Sequence, residues 1–273
     1  MQQPSTFLAR AFFCLLVLAC AAPSLAQDAT PHPVPPPPDA PGNAISLAER
    51  CQRQNFSTLF TCTWIDVRHL ARHDSLVWLG VGSAVSAGSL SMDHRVADAL
   101  KDPDRSVPVE IGDHLGEAGL QFGVPAVMYA VSRAVGHHEM GQLSIALLRA
   151  QVVNGIVTRS LKFFPRARPY QEHARAGRGS FPSGHASGAF ATATLLHDRF
   201  GWRAGVPAYT VAGFIGATRL QNMHYLSDVA FGAGLGIASG LALKVSPGRT
   251  AVTPIVGPGV AGVSVSITRN DPR

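Results

Sequence analysis

Charge is scarce in this chain. Asp, Glu, Lys and Arg make up only 15% of its 273 residues, against 46% apolar, which is lean for a soluble protein. What charge there is leans basic, 23 Lys and Arg against 17 Asp and Glu, for a net +6. The cations form no stripe with interleaved aromatics, and no recognised nucleic-acid motif is present, which argues against nucleic acid as a partner. Many of them flank one short segment near residue 180 instead, and that suits an anionic substrate. Cysteine is also sparse. Of four, Cys14 and Cys20 fall in an N-terminal apolar run. Cys51 and Cys62 remain, with no histidine nearby, so a thiolate metal site is disfavoured and a disulfide is expected in an oxidising compartment. No internal repeat is visible. Apolar segments are mostly shorter than the ~20 residues a membrane helix needs, and several carry polar interruptions.

What is present begins with a targeting segment. Arg10 precedes AFFCLLVLAC and then AAPSLAQ, a short apolar core followed by small residues. Residues 1–26 read as a secretory signal, with Ser24-Leu25-Ala26 as the cleavage site. Val17-Leu18-Ala19-Cys20 loosely resembles a lipoprotein processing site, and an uncleaved anchor is the third option. Residues 27–43 are proline-rich, which favours a stiff, extended spacer. A helical domain is expected over 44–246 and an extended tail over 247–273. The chain is therefore expected to be exported and periplasmic, either soluble or membrane-associated.

Within the domain, helical patterns occupy 44–55, 61–73, the apolar stretch from Ser75 to Leu90, 114–134 (broken by Pro125), 139–163, 184–199 with a stop at Gly201, 205–222 and 224–245. The fold class is all-α, an irregular bundle of about six main helices with a short extended C-terminal tail. Gly82, Ala84, Gly213, Gly232 and Gly234 are small residues that would let helices approach closely. The tail alternates Val with small residues and reads as a hairpin or single strand.

The chemistry concentrates around Ser180-Phe181-Pro182-Ser183-Gly184-His185. A Pro-Ser-Gly turn that opens a helix presents backbone N–H groups to which an anion can dock. Gly184 lets the backbone approach such an anion. Ser183 could bind it or simply cap the helix, and taken alone the cap is the commoner role. His185 stands in the first helical turn. Lys162, Arg166, Arg168, Arg175 and Arg178 precede this segment, and Arg219 follows it. Lys162 is set among Leu161, Phe163 and Phe164, an odd place for a merely solvated cation. His224 and Asp228 are four apart, so one helix face would hold both, and the carboxylate would fix one imidazole nitrogen and leave the other as a nucleophile or base. His137 and His138 read as a loop pair and His173 as an exposed loop residue; His94, His114 and His197 have no assignable partner.

Lys162…Arg168-Pro169, then Pro182-Ser183-Gly184-His185, then Arg219…His224-Tyr225-Leu226-Ser227-Asp228 resembles the three-part signature of the type 2 phosphatidic acid phosphatase and haloperoxidase superfamily. The match covers roughly residues 140–245, and the order of the three parts is far more specific than any one of them. The resemblance implies that His224 attacks phosphorus, Asp228 orients it, and His185 protonates the leaving oxygen and then activates water. It implies that Lys162, Arg168 and Arg219, with Ser183 and the Gly184 N–H, hold the phosphoryl oxygens. No metal or other cofactor is implied. Two spacings depart from the family pattern. Five residues separate Lys162 from Arg168 and four separate Arg219 from His224, each one fewer than usual, so strict spacing would place Leu161 and Thr218 at the cation positions. On a helix one residue is a rotation of ~100°. The expected activity is metal-independent hydrolysis of phosphate monoesters or diphosphates, with a phosphorylated lipid or a small phosphate ester as substrate, possible membrane contact and no protein partner. A vanadate-dependent haloperoxidase and a non-catalytic phosphate- or phospholipid-binding protein are the alternatives.

Overall fold

A computed structural model describes residues 56–101, 106–170 and 179–243, together with the backbone of 250–257 and 260–267. The signal, the proline-rich spacer, the helix expected over 44–55, Cys51, His173, Arg175 and Arg178 lie outside the described residues.

Among the described residues ten α-helices follow one another. They are α1 (Thr58–Thr61), α2 (Thr63–His69), α3 (His73–Ser89), α4 (Asp93–Ala99), α5 (Val107–Gly116), α6 (Ala118–Val135), α7 (His138–Leu161), α8 (Gly184–Phe200), α9 (Trp202–Thr218) and α10 (Leu226–Ala242). Six of these, α3 and α6 to α10, run for 17 to 24 residues, in keeping with the expected six main helices. Pro125 lies inside α6 without ending it. The interruption falls earlier, at Glu117, where extended backbone separates α5 from α6. Gly201 ends α8 with φ 69°, a backbone angle that glycine adopts without penalty. The tail folds back as an antiparallel hairpin of β1 (Thr250–Gly257) and β2 (Val260–Ile267), with Thr250 opposite Ile267.

Helix α10 is the centre of the bundle, packed on α3 and α8. Its small residues make that possible. A Cβ on Gly234 would stand 2.7 Å from Gly82 Cα, so these two glycines bring α10 and α3 into backbone contact. A Cβ on Gly232 would meet the Ser183 carbonyl at 2.7 Å, so this glycine lets the start of α8 rest on α10. Of the other small residues expected at helix contacts, Ala84 is exposed and a Cβ on Gly213 would meet nothing within 4 Å. Both face outward. The apolar core lies where α7, α8 and α10 meet, around Ala146, Ala150, Val153, Ala191, Leu195 and Ala238. A buried ion pair, Arg149 Nε to Asp66 Oδ2 at 2.8 Å and Nη2 to Oδ1 at 2.5 Å, ties α2 to α7 across this core.

The expected shortness of the apolar segments is revised. Helix α3 runs through a 3-10 turn (Leu90–Met92) into α4, giving a helical stretch of 27 residues, His73–Ala99, long and apolar enough to cross a membrane. Helix α7 (24 residues) passes the same test. The two differ in setting. Only 17% of the first is buried within the bundle, against 61% of the second, so α7 is largely a core helix and α3 turns its apolar side outward. Leu76, Val85 and Leu90 on that stretch, and Val127, Val131 and Val135 on α6, are exposed. Exposed apolar surface on these two helices is of the kind that contacts a membrane or another protein.

Candidate functional site

The site is built where three loops meet, at the end of α7, the start of α8 and the start of α10. Lys162 is the C-cap of α7, and its Nζ donates to the carbonyls of Gly179 (3.1 Å) and Pro182 (2.9 Å). The first motif thus holds the second in place. The Phe181–Pro182 peptide is cis. Ser183 is the N-cap of α8, yet its side chain makes no capping hydrogen bond. Its hydroxyl is buried and has no hydrogen-bond partner among the described residues, so the commoner role of a helix cap does not account for it. A Cβ on Gly184 would meet only Thr158 at 3.6 Å, ordinary contact. The fold's packing therefore does not demand glycine there.

The His224–Asp228 pair forms, but not by helix periodicity. Helix α10 begins at Leu226 with Tyr225 as N-cap, so His224 lies just outside the helix. Asp228 is the third helical residue and reaches back to accept from the Tyr225 N–H at 2.9 Å, a capping geometry. That carries Oδ2 to 3.7 Å from His224 Nδ1. Ser180 Oγ bridges the two, donating to Asp228 Oδ2 at 2.5 Å and standing 3.5 Å from His224 Nδ1. With Nδ1 facing Asp228, Nε2 is on the opposite edge of the ring. Burial pushes His224 below the usual histidine range; Asp228 opposes this, and Lys162 and Arg168 add to it. Burial alone would raise the Asp228 carboxyl, but His224, Ser180, the Tyr225 N–H and Arg166 hold it below its usual range.

His185 stands beside a different carboxylate. Its Nε2 is 3.2 Å from Asp113 Oδ1, without the alignment of a hydrogen bond. Arg219 Nη1 donates to the same oxygen at 2.5 Å, and Nη2 donates to the Val109 carbonyl at 3.1 Å. Burial, with Arg219, His224 and Arg168, lowers His185 to about 4, and Asp113 opposes them. The two histidines are close enough for the charge of one to act on the other, and Arg168 acts on both.

The shortened spacings are absorbed at helix ends. Lys162 and Arg219 are both C-caps, where the chain leaves helical geometry. Between Arg219 and His224 the chain closes a tight turn, with His224 N–H on the Arg219 carbonyl at 2.9 Å and Asn222 at φ 61°, a left-handed angle that Asn tolerates better than most residues. Lys162 is thereby placed to act on His224, and Arg219 to act on His185. Arg168 is half-buried beside Met223. Cys62 is buried and disulfide-bonded.

Several residues here were not singled out as site residues from sequence. Arg166 donates to Asp93 Oδ2 (2.6 Å) and Ser227 Oγ (3.0 Å) and pairs with Asp228 Oδ1 (2.9 Å). Asp93 accepts from the Ser227 N–H at 2.9 Å and from its hydroxyl at 2.5 Å. Arg166 is two residues from Arg168, which was a usable signal. Asp93 and Asp113 lie 73 and 106 residues before the partners they meet at Arg166 and Arg219, and nothing local marks them. Among the described residues, no group of three or more His, Cys, Asp or Glu is arranged to hold a metal ion.

The sequence profile of the PAP2 superfamily matches residues 143–250, a span that holds all three motifs. The chain is 42% identical over 93 residues to the lipid A 1-phosphatase of Porphyromonas gingivalis, covering 33% of this chain and 20% of that protein. It is 30% identical over 146 residues to the lipid A 4'-phosphatase of Helicobacter pylori, covering 48% of this chain and 70% of that one. It therefore spans a fifth of the length of the first relative and over two thirds of the second. Among solved structures, Aquifex aeolicus LpxE aligns over 55% of this chain and 91% of its own, at 24% identity and a TM-score of 0.46. A transmembrane PAP2-type phosphatidylglycerolphosphate phosphatase from Bacillus subtilis aligns over 69% and 93%, at 16% identity and 0.44. With the three motifs gathered at the helix ends and a relative matched over most of its length, the chain belongs to the PAP2 superfamily.

Proposed function

We propose that this protein is a lipid phosphatase: an exported, membrane-associated hydrolase of phosphate monoesters or diphosphates that works through a phosphohistidine and without a metal. The observation that carries this reading is the buried Ser183 hydroxyl at the start of α8, which has no partner among the described residues, set beside two imidazoles, Lys162, Arg168 and Arg219. A polar group buried without a partner is costly and calls for an explanation. A phosphoryl oxygen supplies one. The helix start adds N–H donors, and the guanidinium groups match the remaining oxygens. The outward apolar surface of α3 and α6 favours a substrate delivered from a lipid layer, and the relatives named as lipid A phosphatases favour a lipid phosphate.

In this mechanism His224 Nε2 attacks phosphorus as the ester P–O bond breaks. The electron pair goes to the leaving oxygen, which takes a proton from His185. Neutral His185 then accepts a proton from water as the water oxygen attacks phosphorus. The P–N bond breaks, its electron pair returns to His224, and inorganic phosphate departs with His185 protonated again. Lys162, Arg168 and Arg219 offset the charge that develops on the phosphoryl oxygens. Protein purified in detergent should release inorganic phosphate from a lipid A preparation or a simpler lipid phosphate, with undiminished turnover after chelation and dialysis. Release that disappears with the chelator and returns with a divalent cation would refute metal-free catalysis, and absence of release from every phosphate ester tested would refute the hydrolase reading.

Lys162 gives this site a pH signature. Burial is the main cause that lowers its ammonium to about 8, and Arg168 adds to it. It is charged below that pH and neutral above it. KM should therefore rise, and kcat fall, as pH passes through about 8. Lys162→Arg, which stays charged, should flatten that limb. An unchanged KM–pH curve in the variant would assign the limb to another group.

A further inference from the structure

Helix α5 carries no part of the three motifs, yet it lies against two of them. Gly112, Asp113 and Gly116 share one of its faces. A Cβ on Gly112 would fall within van der Waals radii of the Thr218 side chain, 2.8 Å from its Cβ, and one on Gly116 would fall 2.9 Å from His185 Cβ and Cγ. The two glycines let α5 sit flush against the end of α9 and the start of α8. Asp113, between them, is thereby delivered to His185 Nε2 at 3.2 Å and to Arg219 Nη1 at 2.5 Å. We propose that Asp113 is the charge partner of His185, a positioning residue that keeps this imidazole protonatable and gives the site a second His–carboxylate pair, one for the proton donor as Asp228 is for the nucleophile.

The need for such a partner is visible in the surroundings. His185 is largely desolvated, and Arg219 from α9, Arg168 from the loop after α7 and His224 before α10 all act against its protonated form. Asp113 from α5 acts in favour. With Asp113 in place His185 is still neutral near pH 7 until a bound phosphoryl group adds its own negative charge; without Asp113 the imidazole lies lower still and is harder to protonate. This inference rests on the phosphatase reading above, in which His185 protonates the leaving oxygen.

A leaving group that needs no proton separates this role from a merely structural one. An alkyl phosphate must expel a poor alkoxide leaving group and requires the proton, whereas p-nitrophenolate departs unaided. Asp113→Asn should slow the phosphoryl-transfer step, read as single-turnover release of the alcohol, on a long-chain alkyl phosphate in detergent micelles by about 100-fold, the scale of general-acid catalysis, and leave the same step on p-nitrophenyl phosphate nearly unchanged. Asp113→Glu, which retains the carboxylate, should recover part of the alkyl activity. An equal fall on both esters, a rise confined to KM, or no fall on either overturns the proposal. Should Asp113→Asn not fold, Gly116→Ala keeps both charges but drives a methyl against the His185 ring. It must show the same split between esters, and a uniform loss overturns the proposal. Failure of the phosphatase reading looks different: the unaltered protein then turns over neither ester.

Discussion

Replacing His224 by Ala should reduce kcat by about 10⁴-fold or more on every phosphate ester, activated or not, the scale at which a covalent nucleophile is lost. The ring is 3% exposed, and its Nδ1 edge is held against Asp228 and Ser180. Its lowered pKa keeps Nε2 unprotonated at neutral pH, as a nucleophile requires. Asp228→Asn should cost about 10²- to 10⁴-fold, because an amide can present its N–H to Nδ1 and favour the wrong tautomer. The direct check is to quench the enzyme during turnover of a phosphorus-labelled ester. Label should stay on the protein in alkali, be lost in acid, and be absent from His224→Ala. Turnover persisting in that variant, or label resistant to acid, would transfer the nucleophile's role elsewhere.

The residues that were legible from sequence are those that sit close to one another in it. Pro182 to His185 and His224 to Asp228 are short runs whose chemistry can be read locally, and both fall at the site. Their local geometry was less legible. The second run was expected on one helix face, whereas Asp228 meets His224 by reaching back over the N-terminus of α10. A four-residue spacing fits both arrangements, and only the position of the helix start distinguishes them. The carboxylates that complete the site come from α4 and α5, between Leu90 and residue 114, where the sequence reading placed no element. That stretch is short, polar and interrupted by the Asp102-Pro103-Asp104 run, so hydrophobic periodicity has little to act on. Small residues were read correctly at Gly82, Gly232 and Gly234 and wrongly at Ala84 and Gly213. Composition says that a close approach is allowed, not which side of a helix a neighbour occupies.

Arg166→Ala should damage the protein twice. This guanidinium stands between Asp93 and Asp228 and lies over the Tyr225 ring, 4.8 Å from its centroid. The two carboxylate side chains are 4% and 0% exposed, so its removal leaves two buried negative charges facing each other. Breaking a buried pair costs about 3–5 kcal/mol, and the low end applies because Arg166 itself remains 27% exposed. Thermal unfolding in detergent should report that loss. Catalysis should fall about 10- to 100-fold, the scale for residues that orient a reacting group from behind it. The acid limb gives the sign. Asp228 is held below its usual range, so it stays ionised, and the pair intact, until pH drops through its lowered value. Arg166 is the last of the several groups holding it there. Without that guanidinium the carboxyl protonates at a higher pH, and activity should fail at a higher pH on the acid side than in the unaltered protein. Arg166→Lys supplies one point charge where a fork spanned two carboxylates, so it should recover stability better than rate. If both variants lose stability while kcat and the acid limb are unmoved, Arg166 merely holds α4 to the loop before α10, and the chain of contacts from Asp93 to His224 carries no catalytic effect.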